Sequence, residues 1–224
     1  MATYVCSDIH GMFREFMGLL EEIKFSKDDK LYVLGDAIDR GPNSVDTIKF
    51  IMETENIEML IGNHELSMLD YYRGNWILDS WADHEWFTFG GETTRKEVMN
   101  LDKETKNKIL DYIENLPYYI VLDKFLLVHG GFDIYDKNNP DNKELTLKEA
   151  LKINDRETIT WNRDFFELDK EIINYTTILG HTPTSEFNEE NIMHKKNKIL
   201  IDCGCVFGGK LSCLRLDDMK EFYV

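Results

Sequence analysis

Residues 3–6, 31–34 and 57–61 form short apolar runs that stop abruptly in polar clusters: Ser7-Asp8-Ile9-His10-Gly11, Gly35-Asp36 and Gly62-Asn63-His64-Glu65. Unbroken apolar runs of this length suit strands covered on both faces. Between them, Phe13, Phe16, Leu19, Leu20 and Ile23 recur at helical spacing. Val45, Ile48 and Met52 do the same after the Pro42-Asn43-Ser44 start signal. The order is strand, helix, strand, helix, strand. Right-handed helical crossovers make such strands parallel and set their carboxyl ends, with the three polar clusters, along one sheet edge.

Residues 66–117 read as a mid-chain helical elaboration. Residues 118–122 and 125–128, joined by Asp123-Lys124, read as a tight hairpin ending in His129-Gly130-Gly131. After a polar stretch at 136–144, a helix is expected near 145–153, and a strand at 176–179 runs into Gly180-His181-Thr182-Pro183. Segments 198–201 and 211–216 read as antiparallel strands linked by a glycine-rich turn. That turn, Gly204 to Lys210, satisfies G-x-x-x-x-G-K, but Leu211 stands where a phosphate-binding loop needs Ser or Thr, and no helix pattern follows. With no repeat and no long linker, residues 1–224 are expected to form a single domain.

Composition narrows the classes. The chain has 224 residues, and 42 Asp+Glu against 26 Lys+Arg leave a formal charge of −16, yet 42% of residues are hydrophobic, too many for an acidic disordered chain. There is no basic stripe for nucleic acid. Part of the acidic excess is the kind that bound metal neutralises. No apolar stretch reaches the ~18 residues of a membrane span, and a cytoplasmic protein, monomeric by default, is expected. The four cysteines, at 6, 203, 205 and 213, form neither a zinc-ribbon spacing nor a disulfide framework, and are expected reduced and buried.

Candidate chemistry sits where the apolar runs end: Asp8 and His10, Asp36 and Asp39, Asn63 and His64, His129, and His181. The set is carboxylate, imidazole and amide without thiolate, suited to Mn, Fe or Zn and larger than one tetrahedral zinc requires. Two adjacent divalent ions would use it better, acidifying a shared water and neutralising charge in phosphoryl transfer. Arg40 falls at the same edge, and Arg163 in Trp161-Asn162-Arg163-Asp164 could close a phosphate clamp. Four of the six histidines end predicted strands beside Gly. His84 and His194 lack that context and are expected at the surface or in ordinary hydrogen bonds.

The ordered motifs Ser7-Asp8-Ile9-His10-Gly11, Gly35-Asp36-Ala37-Ile38-Asp39-Arg40-Gly41, Gly62-Asn63-His64-Glu65, His129-Gly130-Gly131 and Gly180-His181-Thr182 resemble those of the phosphoprotein phosphatase family, within the calcineurin-like metallophosphoesterases. The ending, Asp202-Cys203-Gly204-Cys205 to Gly208-Gly209-Lys210-Leu211, resembles its bacterial and phage branch, which includes symmetrical diadenosine tetraphosphatases. The resemblance implies an α/β sandwich of central mixed β-sheets flanked by helices. It implies Asp8, His10 and Asp36 around one metal and Asp36, Asn63, His129 and His181 around the other, Mn being favoured. It also implies His64 as the acid for the leaving oxygen, Asp39 orienting it, and Arg40 and Arg163 on phosphate. Attack would come directly from a hydroxide held by the two metals. Consistently, no cysteine starts a C-x5-R motif: the residues six further on are Met12, Gly209, Leu211 and Met219. Ser7 departs from the Gly common at that position.

The main expectation is a phosphomonoesterase, a serine/threonine or dual-specificity protein phosphatase acting on phosphoprotein or small phosphoester. The alternative is a symmetrical diadenosine tetraphosphate hydrolase. A third reading, a catalytically silent phosphate-binding module, is disfavoured by the intact constellation. Trp76, Trp81, Trp86, Phe87 and Phe89 are expected to pack the elaboration onto the sheet, with base stacking as the other role for them.

Overall fold

The computed structural model describes residues 1–74, 86–134 and 144–224. Trp76, Trp81, His84 and most of the polar stretch at 136–144 lie outside them. Strands β1 (Thr3–Cys6), β2 (Lys30–Val33) and β3 (Ile57–Met59) alternate with helices α1 (Phe13–Glu22) and α2 (Ser44–Glu53). Then come α3 (Asn63–Arg73), α4 (Gly91–Val98) and α5 (Lys103–Glu114), the hairpin β4 (Tyr119–Leu122) and β5 (Phe125–Val128), and helices α6 (Leu147–Ile153) and α7 (Arg156–Trp161). The chain closes with β6 (Thr176–Leu179), β7 (Met193–Lys195), β8 (Lys198–Leu200), β9 (Ser212–Arg215) and β10 (Lys220–Tyr223). No helix among the described residues is long and apolar enough to cross a membrane.

The strands form two mixed sheets, ordered β10-β9-β1-β2-β3 and β4-β5-β6-β8-β7. As the pattern required, β1, β2 and β3 are parallel. In the second sheet β5, β6 and β8 are parallel, with β4 and β7 antiparallel at its edges. The faces explain the apolar runs. Val5, Leu34 and Leu60 of the first sheet meet Phe125, Leu127 and Ile178 of the second in a shared inner core. Tyr4, Cys6 and Val33 turn outward onto Phe16, Leu19, Ile48 and Ile51 of α1 and α2. Leu126 and Val128 turn outward onto Ala150 and Ile159 of α6 and α7. Every central strand is covered on both faces, so neither side needs polar residues.

Segments 198–201 and 211–216 are strands, but not partners. β8 lies beside β6 and β7 in the second sheet, whereas β9 lies between β1 and β10 in the first. Alternation with period two states which face a residue takes, not which strand it joins.

Lys198 is fully buried at the start of β8, its ammonium donating to the carbonyls of Phe165 and Leu168 with the Phe165 ring 4.7 Å away. Burial pulls its pKa down to about 8. Lys198→Met should destabilise the fold by about 2–4 kcal/mol in urea titrations, because two carbonyls lose their donor. A loss below about 0.5 kcal/mol would mean those carbonyls are satisfied without it.

Candidate active site

The carboxyl ends of β1, β2 and β3 meet those of β5 and β6 where the two sheets abut. Hydrogen bonds between distant loops fix the junction: His129 Nδ1 donates to the Leu34 carbonyl at 2.6 Å, the Gly180 N–H to the His129 carbonyl at 2.9 Å, and the His181 N–H to Asp8 Oδ2 at 2.9 Å. Two motif glycines are required by this close approach. A Cβ at Gly62 would collide with the Asp36 carboxylate, and one at Gly180 with the Ser7 hydroxyl and the Asp8 carboxylate.

Backbone strain concentrates here. Asp8, His10, Asp36, Asp39, Arg40 and His181 all have φ between 47° and 74°, a region non-glycine residues seldom adopt. Each costs about 1–3 kcal/mol and persists only where surrounding contacts over-determine it. The Glu65 carboxylate supplies several, accepting from the N–H groups of Gly62 (3.0 Å), Asp36 (2.8 Å) and Ala37 (2.9 Å). It thereby locks the loop after β2 to the start of α3. Burial, with the Asp36 charge adding to it, pushes the Glu65 pKa up to about 7.

Asp8, His10, Asp36, Asn63, His64, His129 and His181 are all buried, and the structure brings them together. His10 Nδ1 donates to the Ile38 carbonyl at 2.8 Å, leaving Nε2 facing Asp36 Oδ2 at 3.6 Å and Asp8 Oδ1 at 3.9 Å. Ser7 Oγ and the His181 N–H hold the other Asp8 oxygen, so the Ser in place of the commoner Gly helps aim this carboxylate. His129 Nε2 lies 3.0 Å from Asn63 Oδ1 and 3.4 Å from Asp36 Oδ1. His64 Nε2 lies 3.8 Å from Asp36 Oδ2.

Two donor groups come close enough to share a cation each: His10, Asp36 and His64, and Asp36, His129 and His181. Asp36 belongs to both. The residues fit divalent metal on further grounds. Backbone carbonyls hold His10 and His129 through Nδ1, the way metal-binding imidazoles are oriented. His181 Nε2 is buried with no hydrogen-bond partner among the described residues. Asp8, Asp36 and Asp202 are three buried carboxylates in mutual electrostatic contact, an arrangement that needs compensating positive charge.

The electrostatics distinguish the histidines. Burial holds His10 well below the usual imidazole range, helped by the His64 charge, and burial does the same to His181. Both are thereby pushed toward the neutral imidazole, the form that can offer a lone pair to a cation. Burial also opposes the charged forms of His64 and His129, but the neighbouring carboxylates together outweigh it, Asp36 and Asp39 raising His64, and Asp36 with Asp8 carrying His129 up to about 9. Burial would raise Asp36; its histidine neighbours, His129 first, hold it well below the carboxylate range.

Asp39 is the hub beside His64. Its Oδ2 accepts from His64 Nδ1 at 2.6 Å and from Trp86 Nε1 at 2.8 Å, and its Oδ1 accepts from the Thr94 hydroxyl. Trp86 is 1% exposed and packs against Tyr71 and Phe87, so it faces core and Asp39. Arg40 donates to His10 Nε2. Arg163 sits further out: its Nη1 pairs with Glu186 Oε1 at 2.8 Å, half-exposed, while its charge acts on His181. His194 is exposed and bonded to Glu221, away from the cluster.

Sequence reasoning missed the groups that hold the others. Glu65 had a signal, its position three residues after the Gly62 turn at a helix start. Ser7 stood beside the candidate ligand Asp8. Trp86 and Thr94 had none, since their partner Asp39 is 47 and 55 positions away. All four cysteines are unpaired and buried, and burial pushes Cys203 up to about 11 and Cys205 to about 12, so thiolate chemistry has no candidate.

A sequence model of the calcineurin-like phosphoesterases matches residues 1–213. Among curated proteins, the symmetrical bis(5'-nucleosyl)-tetraphosphatase of Buchnera aphidicola subsp. Baizongia pistaciae is 27% identical, over 99% of this chain and 97% of that one. The asymmetrical bis(5'-nucleosyl)-tetraphosphatase PrpE of Anoxybacillus flavithermus is 30% identical, over 98% and 92%. Among solved structures, a putative diadenosine tetraphosphatase superposes with a TM-score of 0.67 at 18% identity, covering 99% of this chain and 92% of that one. A cold-active protein-tyrosine phosphatase of a psychrophilic Shewanella superposes with a TM-score of 0.60 at 16% identity, covering 99% and 79%. These two share the fold. The curated relatives correct the main expectation of a protein phosphatase acting on phosphoprotein. Relatives matched along nearly their whole length are named for dinucleoside tetraphosphates, the alternative reading. The motifs did not separate the two because the roles expected of them, holding metal and phosphate, are common to both reactions.

Proposed function

The chain belongs to the calcineurin-like phosphoesterase family, a family of metal-dependent hydrolases, and from that premise we propose that it hydrolyses bis(5'-nucleosyl) tetraphosphates symmetrically to two nucleoside diphosphates. The observation that carries the reading is the near full-length likeness to curated bis(5'-nucleosyl)-tetraphosphatases, the symmetrical form recurring among them. The buried constellation supplies the chemistry such a reaction needs.

In this reading Asp8, His10 and Asp36 hold one divalent ion, and Asp36, Asn63, His129 and His181 the other, with Mn the first metal to try. Bound ions supply Lewis-acid neutralisation of phosphate oxygens and lower the pKa of the attacking water. The protein's own groups do the rest. Water adds to an inner phosphorus, the central P–O–P bond breaks, and the bridging oxygen departs with the second nucleoside diphosphate, taking the proton from His64 Nε2. Asp39 holds the ring through Nδ1 and stabilises its charged form. His64 Nε2 is buried with no hydrogen-bond partner among the described residues, as a proton donor awaiting a leaving oxygen should be. Arg40 and Arg163 would bind phosphate oxygens, Arg40 turning from its present partner His10 Nε2 to do so.

The test is product analysis. Mn-reconstituted protein given diadenosine tetraphosphate should yield ADP alone, at a higher kcat/KM than with phosphopeptides or aryl phosphates. AMP plus ATP would replace the symmetrical reading with the asymmetrical one, and faster release of phosphate from monoesters would overturn both.

The hub at Asp39 adds a prediction. Trp86→Phe removes one N–H from the Asp39 carboxylate and leaves the aromatic packing in place. It should lower kcat about tenfold, the scale of one hydrogen bond to a charged group. The acidic and basic limbs of the pH–rate profile should shift while bound metal is unchanged. An unaltered profile would assign Trp86 to packing alone.

A further inference from the structure

The geometry points to Phe207 as a stacking platform for a nucleobase of the substrate, an assignment that rests on the dinucleotide reading above. Phe207 is 64% exposed, the most exposed aromatic ring among the described residues. It stands on the glycine-rich turn that mimics a phosphate-binding loop in sequence, and it ends a short 3-10 helix, Cys205–Phe207. The turn is rigidly tied. The Phe207 N–H donates to the Gly204 carbonyl at 2.9 Å, Gly208 to Cys205 at 3.1 Å, Gly209 to Gly204 at 3.0 Å, and Lys210 to Cys203 at 3.1 Å. Its lysine is engaged within the protein, bonded to Asn191 and lying over the Tyr223 ring. What the turn presents is therefore the phenyl ring.

The ring is placed at the site. The Arg40 guanidinium lies over it, 5.2 Å from the ring centroid, and the same guanidinium reaches His10 Nε2. Phosphate bound by Arg40 would thus bring an attached nucleoside to within reach of Phe207. An exposed phenyl ring held by a rigid backbone loses little entropy when a base stacks on it, and one such stack strengthens binding about 5- to 150-fold. The guanidinium stacked on the ring adds a cationic neighbour to the base's π-face.

Two other roles are separable from this one. Phe207 could serve only to hold Arg40, or the base could lie instead on Phe89, which is 37% exposed and packs at 5.3 Å on Trp161. The experiment is calorimetric binding to Mn-loaded protein of ADP and of methylenediphosphonate, which has paired phosphorus groups but no base, in the wild type, Phe207→Ala, Phe207→Trp and Phe89→Ala. The expected result is an ADP Kd raised 5- to 150-fold in Phe207→Ala and restored in Phe207→Trp. Methylenediphosphonate should shift less than about twofold in both. Equal weakening of both ligands would make Phe207 a support for Arg40. Weakening of ADP by Phe89→Ala with no effect of Phe207→Ala would move the base to Phe89 and Trp161, and either result overturns the assignment. Binding is read without turnover, so a failed platform is distinguishable from a failed dinucleotide reading, which product analysis decides.

Discussion

Asp36→Asn is expected to remove bound metal and activity together. Asp36 is the one residue common to both donor groups, with Oδ1 3.4 Å from His129 Nε2 and Oδ2 3.6 Å from His10 Nε2. The amide is nearly isosteric and can still accept the His64 N–H at 3.1 Å, so the loop should survive. What it lacks is the charge and the second anionic oxygen. Elemental analysis should show bound metal falling well below the wild-type stoichiometry. Turnover of diadenosine tetraphosphate should drop about 10²–10³-fold or more, the scale on which one charge-stabilising group acts. Full metal occupancy in the variant would deny Asp36 the bridging position.

His64→Asn separates proton transfer from metal binding. His64 Nε2 falls within the His10–Asp36 donor group, so its position alone permits a ligand role. Its Nδ1 bond to Asp39 and its raised pKa favour a proton donor instead. The variant should therefore retain its metal and lose about 10²–10⁴-fold in rate on poor leaving groups, as loss of a general acid does. Across substituted aryl phosphates the dependence on leaving-group pKa should be shallow in the wild type and steep in the variant. The loss on a dinucleoside tetraphosphate should be smaller, because a nucleoside diphosphate departs as a stable anion. Uniform losses accompanied by metal loss would make His64 a ligand.

Both predictions concern residues visible in the chain because strand ends announce themselves. An apolar run covered on both faces has to stop where the backbone reaches solvent or a site, and Asp8, Asp36, Asn63, His129 and His181 follow such stops directly. Their union in one cluster was less legible. His129 and His181 end strands of the second sheet, and only the packing of the sheets through Val5, Leu34, Phe125 and Leu127 brings them to Asp36. Arg163 shows the limit in another way. Its charge reaches His181, but its guanidinium is engaged by Glu186, a partner 23 positions along the chain.

The corrected substrate reading has the same origin. The matching motifs are those expected to handle metal and phosphate, which both readings need, whereas the exposed ring at Phe207, the proposed base platform, lies on a turn whose sequence imitates a phosphate-binding loop.

Sequence by itself determined the alternation of strands and helices, the donor chemistry and the absence of a thiolate route, because periodicity and residue type are local properties. Tertiary structure alone decided that β8 and β9 part company into different sheets, and that Glu65 binds two loops together. It also decided that Trp86 and Thr94 fix Asp39, and that six site residues are held at positive φ. Each of these is a balance between local conformational cost and contacts made across the fold, and such contacts exist only once the two sheets have closed on their common core.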